Sequence, residues 1–117
     1  MPPQGDWAED SPRFNIAPTQ NIACVHRDVQ AGACELATCR WGLVPAWAND
    51  IRIGSRMINA RSETLDSKPS FKQAFATRRC LIPMDGYYEW VQTTDGKQPF
   101  LIEPVGGGVQ FMAGLWE

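Results

Sequence analysis

Two turn signals in residues 80–117 leave that stretch little choice but antiparallel β-structure. Asp95-Gly96 joins two runs of strand-forming residues, and an Asp-Gly pair supplies the positive φ values that tight hairpin turns demand. Gly106-Gly107-Gly108 marks the next reversal. The stretch therefore predicts strands over 80–82, 86–92, 99–103 and 109–116, running as a meander. Upstream, 21–27 and 34–41 are strand-like on either side of Asp28-Val29-Gln30-Ala31-Gly32, which has the length and the glycine of a hairpin loop.

Elsewhere the punctuation differs. Gly42 and Pro45 interrupt regular structure and leave Trp41 and Trp47 in or beside a loop. Residues 49–56 are polar and irregular, and 57–62 resumes a short strand. From 69 to 78 the period becomes helical: Phe71, Ala74, Phe75 and Arg78 follow i, i+3, i+4, i+7 spacing, Pro69 suits the first turn and Ser67 can cap it. The two phenylalanines are expected to cover one end of a sheet. Residues 1–12 have no periodicity and read as an irregular arm, so order is expected from Arg13. The class is β-rich α+β, and 117 residues suffice for one domain burying somewhat under about 70% of its unfolded surface.

Charge argues in two directions. A net charge of −2 and a pI near 5.3 lie far from the basic balance, above about pI 9, usual in nucleic-acid-binding domains. Residues 40–79, however, hold eight Lys/Arg against three acids, an excess of five, while the flanks are acidic. Such a block is ordinarily a solvated face; here it coincides with the motif-rich middle and is a candidate phosphate-facing surface. Cys24, Cys34, Cys39 and Cys80 contain no Cys-x-x-Cys pair, and the single histidine is His26. No metal site is expected, and all four cysteines read as buried free thiols in a reducing compartment. No apolar stretch approaches the roughly 20 residues that span a bilayer, and the acidic start lacks a signal-peptide pattern. A soluble intracellular protein without a membrane partner is the expectation.

Polar side chains inside apolar runs are the first candidates for a site, because each costs about 1–3 kcal/mol when buried without a partner. On a strand, Asn59 and Arg61 would share one face about 7 Å apart; a solvated edge is the plainer reading of that pair. Glu89 would lie with Tyr87 and Val91, opposite Tyr88 and Trp90. A carboxylate among aromatics is disfavoured in its charged form and suits a general acid or base, with a structural ion pair as the even alternative. Trp47 beside arginines offers a base a surface to stack on. Trp41, Trp90 and Trp116 read as core, and His26 as a structural strand residue.

The blocks Arg13-Phe14-Asn15-Ile16-Ala17-Pro18-Thr19, Trp41-Gly42-Leu43-Val44-Pro45-x-Trp47, Ile58-Asn59-Ala60-Arg61-Ser62-Glu63-Thr64, Arg79-Cys80-Leu81-Ile82-Pro83-x-Asp85-Gly86-Tyr87-Tyr88-Glu89-Trp90, Lys97-Gln98-Pro99-Phe100 and Ala113-Gly114-Leu115-Trp116-Glu117 together resemble the SRAP family of abasic-site sensors, in the family's order from Arg13 to Glu117. The resemblance implies a compact α+β domain of curved antiparallel sheets with short helices. It also implies an activity: binding single-stranded DNA that carries an abasic site and joining covalently to the ring-opened sugar aldehyde. In the family an N-terminal cysteine attacks, its amine forming a Schiff base and its thiol closing a thiazolidine. By the same resemblance Asn59 would orient the reacting groups and Glu89 would shuttle protons. Arg61 would hold a phosphate, and Asn15, Pro18 and Trp47, with Pro45 and Arg13 in the same blocks, would face DNA. No cofactor is implied.

The sequence departs from that pattern at both ends, so residues 13–117 read as a partial SRAP domain, shortened on each side. It begins Met1-Pro2-Pro3 where the family begins with Met-Cys, and the downstream His-x-Arg-type histidine is not among its residues. Internal cysteines cannot replace the lost one, having no free amine. Pro2, after removal of Met1, could form an iminium that leads to β-elimination. The alternatives are a noncovalent single-stranded DNA module and a peptidase, the latter without an identifiable nucleophile and base. Unpaired sheet edges leave a homodimer open, and the cytoplasm, with the nucleoid in a bacterium, is the expected location.

Overall fold

The computed structural model describes residues 12–117; apart from Pro12, the arm predicted for 1–12 lies outside the described residues, as does Pro2. The described residues form strands β1 (Asn21–Arg27), β2 (Cys34–Arg40), β3 (Arg79–Met84), β4 (Tyr87–Thr93), β5 (Gly96–Ile102) and β6 (Gln110–Leu115), with one α-helix, α1 (Lys72–Thr77), between β2 and β3. The expected α+β class, rich in antiparallel sheet with short helices, holds.

The β1–β2 hairpin runs in register from Asn21↔Arg40 to Arg27↔Cys34. Asp28 turns it: its carboxylate accepts the N–H groups of Gln30 (2.7 Å) and Ala31 (3.1 Å), an Asx-type turn that substitutes for backbone pairing. β3 lies against β1 through Val25↔Leu81 and His26↔Cys80 and against β6 along its whole length, giving the order β2-β1-β3-β6. β4 and β5 form a separate two-stranded sheet, turning at Thr94-Asp95 with Gly96 at φ 115°.

The predicted meander is thus corrected: β3 takes β6 as its neighbour, and the β4–β5 hairpin is an excursion between them. Its point of departure is tight. A Cβ on Gly86 would meet the Ile102 carbonyl oxygen at 2.7 Å, so the chain can double back there only without a side chain. All residues of β4 and β5 are exposed, and the core role expected for Trp90 is not seen, since it is 61% exposed. Trp41 and Trp116 are half-buried, and the His26 ring packs 5.1 Å from that of Trp116.

Leu43, Phe71 and Ala74 form the buried cluster, with Met57, Ala60, Leu65 and Leu115 packed on it. The helix is shorter than 69–78 because the chain from Lys68 first closes a separate turn, Phe71 N–H donating to the Lys68 carbonyl (2.9 Å). Ser67 does not cap it; its hydroxyl donates to the Thr64 carbonyl (3.3 Å). Arg78 closes the other end with a two-pronged bond to Glu117 (2.8 and 2.7 Å). Two further expectations fail. Residues 49–56 are not irregular: Ile51–Arg56 is a 3-10 helix whose first turn is held by Asp50, accepting the Arg52 N–H at 2.9 Å. Residues 57–62 are not a strand: Met57 to Arg61 is irregular and Ser62–Thr64 is a 3-10 turn, because Met57 and Ala60, three apart, both pack onto the buried cluster. No helix among the described residues is long and apolar enough to cross a membrane.

Candidate nucleic-acid interface

The segment that carries Asn59 and Arg61 is pinned without being a strand. Gly42 and Gly54 cross so closely that a Cβ on Gly42 would stand 2.4 Å from the Gly54 carbonyl oxygen, and one on Gly54 would stand 2.7 Å from the Gly42 oxygen. Gly42 is also at φ 121°, a conformation L-residues with side chains avoid. This crossing lets the Leu43 N–H donate to the Met57 carbonyl (3.1 Å) and the Trp41 indole N–H to the Ile58 carbonyl (2.8 Å). The residue immediately before Asn59 is therefore tied to the end of β2. On the opposite side Trp41 pairs with the N-terminal turn: Thr19 N–H donates to the Trp41 carbonyl (2.8 Å), and Trp41 N–H to the Gln20 carbonyl (2.9 Å).

Around this junction Asn59 and Arg61 are both exposed. Trp47, 58% exposed, stands on a turn closed by Ala48 N–H donating to the Pro45 carbonyl (2.8 Å). Pro45 itself is buried; it shapes that turn and offers no free face of its own. Asn15 is exposed and Pro18 half-buried in the turn whose Ala17 N–H donates to the Gln20 carboxamide (3.0 Å). The Arg13 guanidinium is spent on the chain itself, donating to the Asn21 carbonyl and the Gln20 side chain.

Glu89 sits on β4 opposite Phe100, between Tyr87 and Val91 on one face of the exposed hairpin. Neither ion pair among the described residues, Arg52–Asp50 or Arg78–Glu117, includes it. No hydrogen bond among the described residues joins the hairpin to the 57–61 segment, while the bonds of Trp41 tie Ile58, next to Asn59, and Thr19, next to Pro18, to the end of β2.

The basic block keeps most of its charge free of partners. Arg52 pairs with Asp50, holding that carboxyl below the usual carboxylate range, and Lys68 lies 5.2 Å over the Phe71 ring. Arg40, Arg56, Arg61, Lys72 and Arg79 enter no ion pair among the described residues. Three cysteines are buried or half-buried as expected; Cys34 is exposed, paired with Arg27 at the turn end of the β1–β2 hairpin. Among the described residues no group of three or more His, Cys, Asp or Glu could hold a metal ion.

Sequence reasoning placed Trp41 in the core and missed its part in positioning the candidate residues. The signal was there in Trp-Gly: an indole N–H next to a glycine that allows close approach needs an acceptor when buried.

The chain is matched over residues 3–117 by the model of SRAP, described as SOS response associated peptidase. The chain belongs to the SRAP family. It is 41% identical over 116 residues to the abasic site processing protein YoqW of Bacillus subtilis (strain 168), with 98% of this chain and 50% of that protein covered. It is 33% identical over 108 residues to the abasic site processing protein HMCES of Xenopus tropicalis, covering 84% of this chain and 32% of that protein. Among solved structures, a protein of Bordetella bronchiseptica matches with a TM-score of 0.75 at 29% identity, over 92% of this chain and 54% of that one. A phage-related protein from the same organism matches with a TM-score of 0.72 at 34% identity, over 93% and 52%. The chain spans about half the length of the first of these relatives. An SRAP fold is therefore shared along this stretch, and the region tied together by Trp41 lies within it.

Proposed function

We propose that this SRAP chain binds single-stranded DNA at an abasic site through the loops joined by Trp41, as part of a covalent sensor of DNA damage. The observation that carries the reading is the pinned 57–61 segment. It holds a carboxamide and a guanidinium out to solvent, beside a loop that carries an exposed tryptophan, in a basic block where several arginines have no acidic partner among the described residues. A guanidinium suits a phosphate, and an indole face suits an unstacked base. In this reading Arg61 holds a phosphate, Trp47, Pro18 and Asn15 contact bases, and Asn59 orients the opened sugar. Glu89 moves the proton that lets the aldehyde oxygen leave as water when an amine condenses with it. The site of action is the cytoplasm, at the nucleoid in a bacterium.

A second reading, noncovalent binding alone, draws on the lack of any hydrogen bond, among the described residues, between the Glu89 hairpin and the 57–61 segment. One experiment addresses both. Labelled single strands with and without an abasic site are titrated by fluorescence anisotropy across a salt series, then run on a denaturing gel with and without borohydride. The proposal expects abasic-selective binding that weakens steeply with salt, together with a band that survives denaturation. Salt-sensitive binding without that band selects the noncovalent reading, and no binding at low salt overturns both.

A further inference from the structure

Three thiols lie in a diagonal row across the larger sheet. Cys24 on β1 is opposite Ala37, two residues before Cys39 on β2, and Cys80 on β3 is opposite His26, two residues after Cys24. Side chains two apart on a strand, and those directly opposite on its neighbour, share a face, so Cys39, Cys24 and Cys80 all point the same way. Cys24 is 1% exposed and Cys80 8%, whereas Cys39 on the outer strand is only half-buried. The Cys24 and Cys39 sulfurs are 2.7 Å apart. A disulfide bond is about 2.05 Å long, and the two sulfurs already touch across adjacent strands. Neither the proposed DNA contacts nor the buried cluster uses these thiols.

We propose that Cys24 and Cys39 form a cross-strand oxidation site that takes a peroxide and closes to a disulfide. The half-buried Cys39 sulfur attacks the peroxide O–O bond. One oxygen stays on sulfur as the sulfenic acid, with the thiol proton passing to the departing oxygen as alcohol or water. The Cys24 sulfur then displaces the sulfenic hydroxyl, which leaves with the Cys24 thiol proton as a second water. Two thiols are oxidised by two electrons, and one peroxide is reduced. Exposure sets this order. Cys24 has no exposed surface from which to meet the oxidant, but it lies against Cys39 as the resolving group. Its thiol, where the bond with Cys39 lowers and the bond with Cys80 and burial raise, is pushed up to about 11, and that of Cys39 is raised by its bond to Cys24 and by burial. Closure is therefore slow at neutral pH and faster in alkali, since the thiolate is the nucleophile.

The test uses the whole chain, oxidised in the folded state with hydrogen peroxide, blocked with N-ethylmaleimide and mapped with trypsin without reduction. Cleavage at Arg13, Arg27, Arg40, Arg79 and Lys97 places Cys24 in 14–27, Cys34 and Cys39 in 28–40, and Cys80 in 80–97. The expected product is 14–27 joined to 28–40, two hydrogens lighter than the sum of the thiol peptides, with maleimide on Cys34 and Cys80. C34S should keep the link and C39S should abolish it; because the maleimide positions are read on the unmutated chain, the result stands even if C39S folds poorly. A link from 14–27 to 80–97, a link through Cys34, or sulfinic acids with no link would each overturn the assignment.

Discussion

Replacing Gly42 with alanine tests whether the Asn59 segment is held by the glycine crossing. The new Cβ would sit 2.4 Å from the Gly54 carbonyl oxygen and 2.9 Å from its carbon, both rigid backbone atoms, so the two segments must part by about 1 Å to reach ordinary contact. Overpacking of this kind costs about 1–3 kcal/mol. Holding an alanine at φ 121° adds about 1–3 kcal/mol. Parting the segments also stretches the Leu43–Met57 and Trp41–Ile58 bonds, each worth about 1 kcal/mol. The sum, about 4–8 kcal/mol, is a large share of the roughly 5–15 kcal/mol that holds a domain together. At about 4 °C per kcal/mol for a chain this size, the melting midpoint should fall by at least about 16 °C. Gly32→Ala is the control: Gly32 is at φ 67° with nothing within 4 Å of its would-be Cβ. It bears only the backbone term, about 1–2 kcal/mol. Thermal melts followed by circular dichroism, with urea titrations for the free energy, separate the two. If G42A melts no lower than G32A, the crossing is not what holds the segment and the reasoning fails.

Other perturbations follow from the same geometry. Trp41→Phe keeps the ring and removes the donor to Ile58, so it should destabilise by about 1 kcal/mol and weaken single-strand binding at fixed salt; urea melts and anisotropy check the two effects. Arg61→Ala should reduce the slope of log K against log salt by about 0.7, the value of one phosphate contact on a single strand. Glu89→Gln should lower the yield of denaturant-resistant adduct while leaving anisotropy titrations unchanged. Asp28 is held below the usual carboxylate range by the N–H groups of Ala31 and Gln30. A depressed carboxyl stabilises the fold above its unfolded pKa and loses that contribution as pH falls. The stability gap between the wild-type chain and Asp28→Asn should therefore narrow between about pH 5 and pH 2, as read by urea titration at each pH.

The parts of the fold that could be read from the sequence are those set by local chemistry. Asn21–Arg27 and Cys34–Arg40 were legible because residues that favour strands flank an aspartate that closes its own turn, and Thr93 to Gly96 was legible because Asp-Gly reverses a chain wherever it falls. The pairing of β3 with β6 was not, since turn residues say where a chain bends and nothing about which strand it returns to. Residues 57–62 misled for a more particular reason. Their alternation looked like a strand, yet Met57 and Ala60 are spaced to reach the Leu43, Phe71 and Ala74 cluster, and the carbonyl between them is taken by an indole seventeen residues away. Asn59 and Arg61 were singled out by residue type on a segment expected to be a strand and found irregular, and Asp50 was a readable cap for a 3-10 helix that the polarity of 49–56 concealed.

The location of the small core bears on the site. Of the five buried hydrophobic side chains among the described residues, Cys24 and Cys80 belong to the sheet, while Leu43, Phe71 and Ala74 lie beneath the 57–61 segment. The β4–β5 hairpin has no comparable support, and its apolar residues stay exposed on both faces. A side chain is held in place only where packing or hydrogen bonds exclude its alternatives. In this chain the backbone on either side of Asn59 meets that condition, since the Ile58 carbonyl accepts an indole donor and Ala60 packs on the core, while the Asn59 side chain is exposed. Glu89, on a ribbon paired only to itself, does not meet it. A groove built for an unpaired nucleotide would therefore take its fixed geometry from the Trp41 junction, while any carboxylate chemistry would depend on what holds the hairpin.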